Sequence, residues 1–471
     1  MKVISEISVV STLQDYQRFY RADPYSVHPR KVRSIESIYN IANNNGWEVK
    51  ELNCLVTEPL FKSSGIERNV NGEVIAVKPG ALSDDFLIDF SKCAKETEEE
   101  YMKAGLRQLQ DEDIILLADA HAEGYIGYKT SIIRLQKNQK AMLLGHLIKV
   151  RPNKKEINPY YLLAYLNSEP ARHFLNYSVR GQTVGLHASD AGKLPVLLPP
   201  RKIQDSIGNK LKQALEAKMD AEKKRKEIEG IFERNLGNIE VRKLGGYVFK
   251  LSYCLEAGRL DPHFYYPEFL KVLDLLNNSG FEIKRMSELV EFSKETTNPS
   301  NTTQFVYVEI ADVDLRYGFI SSHSIVKGSN APSRARKIIR EGALLIPLTR
   351  PYRGAIAVVD SRYNDAITTT GFSVSYPKSD SLVDSYYLCA FLKSPYGLIQ
   401  LIQRMSNANY PAILEDDISD ILVPILPNDI KTVSDNMKEI MDNLLLSKQL
   451  HSQAMEELNK LLGLNAGGDK S

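Results

Sequence analysis

The stretch Asn158-Pro159-Tyr160-Tyr161 comes nearest to a catalytic motif in this sequence. Amino-methyltransferases use an Asn-Pro-Pro-Tyr or Asn-Pro-Pro-Phe loop to hold a flipped adenine and to polarise its exocyclic amine. Here the second proline is missing, and the matching place later in the chain reads Asp384-Ser385-Tyr386-Tyr387. Asn and Asp are both common helix N-caps, so a shared helix start explains the two stretches better than shared chemistry.

Other catalytic, cofactor and metal signals are also missing from the sequence. We find no strand followed by a G-x-G-type turn for S-adenosylmethionine and no G-x-x-x-x-G-K-[ST] loop for an ATP motor. Asp119 and His121 follow an apolar run, but a metal site would need further ligands, so a polar loop is favoured. The four cysteines lack C-x-x-C spacing, which predicts buried free thiols rather than a zinc cluster or disulfides. We therefore expect no enzyme activity, no metal and no cofactor.

Residue types that read DNA are concentrated in the second half of the chain. Base edges are read by Arg, Lys, Asn, Gln or Ser on exposed loops, next to cations that contact phosphates. The stretches SNAPSRARKIIR and TRPYRG form the most basic part of this half. A solvated charged face is the alternative, although the preference for Arg and the interleaved Tyr favour DNA contact. The candidates are Arg334, Arg336, Lys337, Arg340, Arg350, Tyr352 and Arg353.

Two further polar loops differ from each other while their flanking sequences match. They are SVRGQTVGLHAS at 178–189 and RMSNANYPAI at 404–413. This contrast suits two domains that share a scaffold and read different sequences. The candidates in these loops are Arg180, Gln182, Thr183, Arg404, Asn407, Asn409 and Tyr410. A weaker set, which matches the TRPYRG region by position in the first half, is His121, Tyr125, Tyr128, Lys129 and Arg134.

The elements that position these residues are predicted to occur twice, because four blocks recur in the same order. RADPYSVHP (21–29) matches RLDPHFYYP (259–267), and NNNGWEVKELNCLV (43–56) matches NNSGFEIKRMSELV (277–290). PYYLLAYLNSEP (159–170) matches SYYLCAFLKSPY (385–396), and LPVLLPP (194–200) matches LVPILPN (422–428). Short apolar runs predict strands at 114–118, 342–348 and 355–359, and helices are predicted at 160–167, 386–393 and, exposed, at 91–109. Each copy is therefore predicted to be a mixed α/β module.

Each module is followed by a long sequence with one apolar stripe at helical spacing. The first stripe runs from Ile203 to Leu236, and the second runs from Ile430 to Leu462 and ends at Gly463, a C-terminal cap. Two such helices predict an antiparallel coiled coil with the modules related by a pseudo-twofold. The first helix would span ~50 Å at ~1.5 Å per residue. The predicted boundaries are 1–200 and 241–427 for the modules, and 201–240 and 428–471 for the helices, the last with a disordered tail.

The composition excludes several other classes of protein. In 471 residues, 60 Lys and Arg stand against 59 Asp and Glu, so a net charge of +1 excludes a polycationic nucleic-acid coat. The first residues lack a signal-peptide pattern, and no run approaches the ~20 apolar residues that span a bilayer. These features predict a cytoplasmic location.

Taken in order, these blocks resemble the DNA-specificity subunit of type I restriction-modification systems over nearly the whole chain. The features that carry the resemblance are the duplication, the Y-Y-L-L-A-Y-L-N-S helix, the L-P-V-L-L-P-P strand, and P-P-x-x-x-Q-x-x-I opening a long helix. The first module has Pro199, Pro200, Gln204 and Ile207, whereas the second has Pro427 and Val433 but Lys431 in place of Gln.

The resemblance implies a fold and a function. Each module would be a target recognition domain reading one half of a bipartite double-stranded DNA target. The long helices would hold the modules apart, and the subunit would have no catalytic activity of its own. It would bind two adenine-N6 methyltransferase subunits and, with motor-nuclease subunits, direct cleavage of unmodified DNA. Two alternatives stay open: a stand-alone DNA-recognition protein of another defence system, and a coiled-coil scaffold that binds only protein.

Overall fold

The computed structural model describes residues 28–63, 71–119, 126–179, 185–239, 261–406 and 410–464. The chain divides into two compact units. The first unit comprises residues 1–217 and 446–471, and the second unit comprises residues 218–445. Both units contain sheets and helices, which confirms the predicted mixed α/β class.

The first unit builds three small sheets before its long helix begins. Their strand orders are β1-β10, β2-β9-β6-β7 and β4-β3-β8-β5. The helices and strands are α1 (Pro29–Asn45), β1 (Glu48–Glu51), β2 (Phe61–Lys62), β3 (Val74–Val77), β4 (Ala94–Glu96), α2 (Glu98–Lys103), β5 (Gln108–Leu109), β6 (Ile114–Leu117), β7 (Thr130–Ile132), β8 (Ala141–Leu143), β9 (Leu147–Val150), α3 (Pro159–Leu166), α4 (Glu169–Asn176), α5 (Ala188–Ala191), β10 (Pro195–Leu198) and the long α6 (Arg201–Leu236).

The second unit builds three sheets with orders β11-β20, β12-β19-β16-β17 and β14-β13-β18-β15. Its elements after α6 are α7 (Pro267–Asn277), β11 (Glu282–Arg285), α8 (Met286–Leu289), β12 (Val290–Phe292), β13 (Gln304–Val308), β14 (Ser324–Lys327), β15 (Ala335–Ile339), β16 (Leu344–Pro347), β17 (Ala357–Val358), β18 (Ala366–Thr369), β19 (Phe372–Pro377), α9 (Ser385–Lys393), α10 (Pro395–Gln403), α11 (Glu415–Ser419), β20 (Leu422–Ile425) and the long α12 (Ile430–Leu461).

The two units have the same topology, strand for strand. The antiparallel pair β1-β10 corresponds to β11-β20. Each four-stranded sheet of one unit has a counterpart with the same strand order in the other. Even the mixed direction is repeated, because β3 runs parallel to β8 and β13 runs parallel to β18. The predicted duplication is therefore confirmed, although most of its first block, RADPYSVHP, lies outside the described residues.

The start of the buried helix α3 explains the apparent catalytic motif. Asn158 is its N-cap, and its side-chain oxygen accepts hydrogen bonds from the backbone N–H groups of Tyr160 (2.9 Å) and Tyr161 (3.2 Å). In the second unit Asp384 caps α9 in the same way, accepting from the backbone N–H of Tyr387 at 2.8 Å. Both motifs therefore start helices, as their residue types predicted.

The long helices pack against each other in antiparallel fashion within the second unit. Lys224 pairs with Glu439 at 2.5 Å, and the Asn443 amide donates to Asp220 at 2.7 Å. Within the first unit, Lys210 of α6 pairs with Glu457 of α12 at 2.5 Å. The apolar stripes are buried beneath these pairs, with Leu211, Leu215, Ala454 and Leu458 in one cluster. Gly463 follows α12 with φ +66°, the left-handed conformation that ends helices.

Two sequence predictions are wrong. Residues 91–109 do not form one helix: α2 covers only Glu98–Lys103, because Ala94–Glu96 pairs with β3 and Gly105 takes φ +52°. Cys54 is exposed rather than buried, whereas Cys389 is buried, and Cys254 lies outside the described residues. Among the described helices, none is both long and apolar enough to cross a membrane.

Candidate nucleic-acid interface

In the second unit, the structure places two separately predicted loops side by side. The Ile413 N–H donates to the Leu348 carbonyl at 2.9 Å, and Thr349 forms a β-bridge with Ala412. The Arg350 N–H then donates to the Pro411 carbonyl at 2.7 Å. These contacts join the TRPYRG loop, which follows β16, to the end of the loop that precedes α11.

The junction of these loops carries exposed cationic and aromatic side chains. The Arg350 guanidinium lies 5.6 Å from the ring centroid of Tyr410, which is 74% exposed. Tyr352 and Arg353 are also exposed. Arg350 has a left-handed backbone with φ 50° and ψ 50°, an uncommon conformation that often marks functional loops. We call these four residues the Arg350–Tyr410 patch, and its guanidinium groups suit guanine edges or phosphates.

The remaining basic candidates of the second unit differ in their exposure and in their contacts with other residues of the protein. Arg334 is exposed, and the Arg336 Nε donates to the Ser333 carbonyl at 3.1 Å. Lys337 is largely buried and pairs with Glu415 at 2.9 Å. Arg340 pairs with Glu295 and with Asp365.

Arg404 is 8% exposed and donates to the carbonyls of Gln400 (3.2 Å) and Asp420 (3.1 Å). These bonds hold the end of α10 to the start of β20. Arg404 therefore has a structural role in the second unit. Its neighbours Asn407 and Asn409 lie outside the described residues.

The first unit has the same loop frame. The Leu186 N–H donates to the Ala118 carbonyl at 2.8 Å, and Asp119 forms a β-bridge with Gly185. These contacts match those of Ile413 with Leu348 and of Thr349 with Ala412. The candidates Tyr125, Arg180, Gln182 and Thr183, and His121 with them, lie outside the described residues.

Three first-unit candidates can be placed. Tyr128 is 53% exposed, and the Arg172 guanidinium lies 4.9 Å from its ring centroid. Lys129 is partly exposed, and its ammonium is 3.8 Å from the Asp84 carboxylate. Arg134 is only 18% exposed and donates to the Tyr160 hydroxyl at 2.7 Å, so it joins β7 to α3.

Sequence reasoning missed a polar cluster at the frame of the first unit. The Lys62 ammonium lies 2.7 Å from one carboxylate oxygen of Asp119, and the His146 Nδ1 lies 2.7 Å from the other. These side chains come from the end of β2, the end of β6 and the start of β9. No sequence motif links them, and only the sheet register brings them together. We call them the Lys62–Asp119–His146 cluster.

A second network ties α6 to the loop between β13 and β14 of the second unit. The Glu222 carboxylate accepts hydrogen bonds from Arg225 (2.9 Å), Arg316 (2.8 Å) and the Tyr317 hydroxyl (3.1 Å). Burial raises the pKa of Glu222, but the hydrogen bonds and positive charges of Arg225 and Arg316 outweigh burial and hold this pKa at about 2. The carboxylate is thus ionised in the folded protein over a wide pH range.

Glu222→Gln should destabilise the second unit at pH 7 by about 1–2 kcal/mol in urea unfolding, allowing for partial exposure of the network. Because the folded pKa is about 2 against an ordinary 4.5, the stabilisation is complete above about pH 4.5 and is lost as the pH falls towards 2. The difference between wild type and variant should therefore shrink over that interval. Glu227→Gln, at an exposed site on the same helix, should change stability by less than about 0.5 kcal/mol. A pH-independent difference for Glu222→Gln would contradict the ion-pair account.

No group of three or more His, Cys, Asp or Glu in the described ranges could hold a metal ion. The described loops present side chains that can donate hydrogen bonds, carry positive charge and stack. This chemistry suits recognition of a polyanion with readable edges.

Comparison with known proteins finds a domain family that matches part of the chain. Residues 44–229 match the family model of the type I restriction modification DNA specificity domain. The chain is similar to the S subunit of a type I restriction-modification system from M. genitalium, with 14% identity and a TM-score of 0.47, over 89% of this chain and 96% of that one. It is also similar to the HsdS subunit from Thermoanaerobacter tengcongensis, with 14% identity and a TM-score of 0.28, over 88% and 96%. Curated proteins give no significant match.

The matched residues include every described strand of the first unit and most of α6. Residues 44–229 are therefore assigned to the type I restriction modification DNA specificity domain.

Proposed function

We propose that each unit reads one half of a bipartite DNA target and positions adenine-N6 methyltransferase subunits on it. One observation carries this proposal: the two units share their sheets and their loop frame, but different residues occupy the frame. Thr349 and Arg350 stand at the end of β16, where the first unit has Asp119 at the end of β6. Two units with the same sheets and different loop residues suit the recognition of two different short DNA sequences.

We further propose that residues 1–200 and 241–427 are the recognition domains and that 201–240 and 428–471 act as spacers. Two modification subunits, one for each repeat, would complete the methyltransferase, and motor-nuclease subunits would convert the complex into a restriction enzyme. Because the net charge of this chain is only +1, partner subunits would supply most phosphate contacts. The site of action would be the cytoplasm, where unmodified DNA enters.

Among the candidate residues, the exposed ones support DNA contact best. Arg334, Tyr352, Arg353 and Tyr410 of the second unit and Tyr128 of the first are exposed, and Arg350 and Lys129 are partly exposed. Arg336 stays a candidate, as do Tyr125, Arg180, Gln182, Thr183, Asn407 and Asn409. Arg134, Lys337, Arg340 and Arg404 are engaged within the protein, so we give them positioning roles behind the contact surface.

The double substitution Arg350→Ala and Arg353→Ala should weaken binding of the full chain, coexpressed with its modification subunits, to its target DNA by at least about tenfold. Loss of two guanidinium groups removes bidentate contacts with guanine edges or phosphates of one half-site. Competition binding at fixed salt measures this effect, because affinity for DNA depends steeply on ionic strength.

Arg362→Ala is the matched control for this pair. Arg362 belongs to the same unit and is 45% exposed, but it pairs with Asp360 at 2.7 Å. The control should bind DNA as the wild type does. Unchanged affinity of the double variant, with its melting temperature preserved, would remove the Arg350–Tyr410 patch from the interface.

A further inference from the structure

The Lys62–Asp119–His146 cluster lies in the first unit at a place whose counterpart in the second unit adjoins the Arg350–Tyr410 patch. The Ala118 N–H donates to the His146 carbonyl at 3.0 Å, and the Leu348 N–H donates to the Gly371 carbonyl at 2.8 Å. By this register His146 corresponds to Gly371, and Asp119 corresponds to Thr349. The frame is thus shared while the side chains on it differ between the units, as expected of residues that set specificity.

The cluster is built tightly and opens to solvent at His146. The His146 side chain is 61% exposed, whereas Asp119 is 29% and Lys62 is 26% exposed. His146 has φ +61°, a strained conformation for a residue with a side chain. Gly185 closes the other side, because an added Cβ there would lie 2.5 Å from a carboxylate oxygen of Asp119. The carboxylate is therefore held in one position against the backbone.

This arrangement fixes the tautomer of the histidine ring. Burial raises the pKa of Asp119, but hydrogen bonds from Lys62 and His146 outweigh burial and hold it below its ordinary value. The ionised carboxylate is an acceptor only, so the facing Nδ1 of His146 must carry its proton. In that tautomer Nε2 offers a lone pair on the exposed ring.

We propose that Nε2 of His146 accepts a hydrogen bond from the exocyclic amino group of an adenine or a cytosine in the half-site read by the first unit. Asp119 and Lys62 act as positioning residues for the ring. In the major groove only adenine N6 and cytosine N4 present such donors. The second unit presents guanidinium donors beside the corresponding place, which suit acceptors instead. This inference rests on the proposed division of the target between the two units.

The test measures the affinity of the full chain, coexpressed with its modification subunits, for duplexes in which each base pair of the target is changed in turn. His146→Leu should lower discrimination at a single base pair of one half-site by about 5- to 100-fold and spare the other half-site. Asp119→Asn should lower discrimination at that same base pair, because the amide no longer fixes the tautomer of the His146 ring. His146→Gln, whose amide retains an acceptor, should recover part of the discrimination. The base that the wild type prefers at this pair tells adenine from cytosine.

Lys103→Ala provides a control at another exposed site of the same unit, where Lys103 pairs with Glu99 at 2.6 Å. It should change no base preference. An equal loss of affinity for every duplex would indicate a phosphate contact and overturn the proposal, as would unchanged discrimination in His146→Leu. Failure of the proposed function would differ from both outcomes, since the wild-type chain would then show no division of its target into two half-sites.

Discussion

Leu458→Asp should abolish cooperative folding of the first unit. Leu458 is fully buried on α12, in one cluster with Leu211 and Leu215 of α6. The substitution removes about 2 kcal/mol of apolar burial and places a carboxylate within an apolar cluster. An uncompensated buried charge costs several kcal/mol more, against a total stability of about 5–15 kcal/mol. Ile228→Asp should act likewise on the second unit. Circular dichroism during heating would show a lost or strongly lowered transition.

Leu446→Asp is the matched control, because the same residue type on the same helix is 46% exposed there. Its melting temperature should stay within a few degrees of the wild-type value. If Leu458→Asp and Ile228→Asp also melted with the wild type, the packing of the long helices would be wrong. Soluble expression of both variants with native secondary structure would lead to the same conclusion.

The features that the sequence predicts well are those with strong local or periodic signals. The apolar stripe from Ile203 to Leu236 repeats over many turns, and α6 spans Arg201–Leu236. The caps Asn158 and Asp384 act through backbone groups two or three residues away. Duplication adds power, because a weak pattern that occurs twice in the same order is more informative than either copy. These signals need no knowledge of distant partners.

The prediction of a single helix at 91–109 failed because of a contact with residues that are distant in sequence. Glu98, Glu99 and Glu100 favour a helix locally, and α2 does begin there behind the N-cap Thr97. The residues before it, however, pair with β3, which is distant in sequence. Tertiary pairing therefore overrides helix propensity in Ala94–Glu96. A single sequence does not contain the register that decides this outcome.

The candidate interface was predictable as a region but not residue by residue. Residue types indicated the loops at 349–354 and 404–413, and the structure joins them through Thr349 and Ala412. Which cations are engaged depends on carboxylates remote in sequence, as in the pair of Arg340 with Glu295. His146 was missed for the same reason, because its partner Asp119 follows a different strand, β6. The sequence shows which residue types are present, whereas the register of the sheets determines which side chains come into contact.

Exchange of residues 241–427 for the same region of a relative should change one part of the DNA target and spare the other. The physical reason is that each unit has its own sheets and its own buried cluster, and the loop frames differ only in the residues they carry. The exchanged region therefore brings its own reading residues without altering those of the first unit. The effect on the affected block should be complete, because every contact to it is replaced.

Methylation sequencing of the host genome, with the wild-type gene and with the exchanged gene, measures both targets directly. We expect methylated adenines within two short specified blocks separated by an unspecified gap, and a changed sequence in only one block after the exchange. A host that lacks the gene should lose methylation at all of these sites. A continuous target without a gap, or an exchange that alters both blocks, would contradict the division of reading between two units.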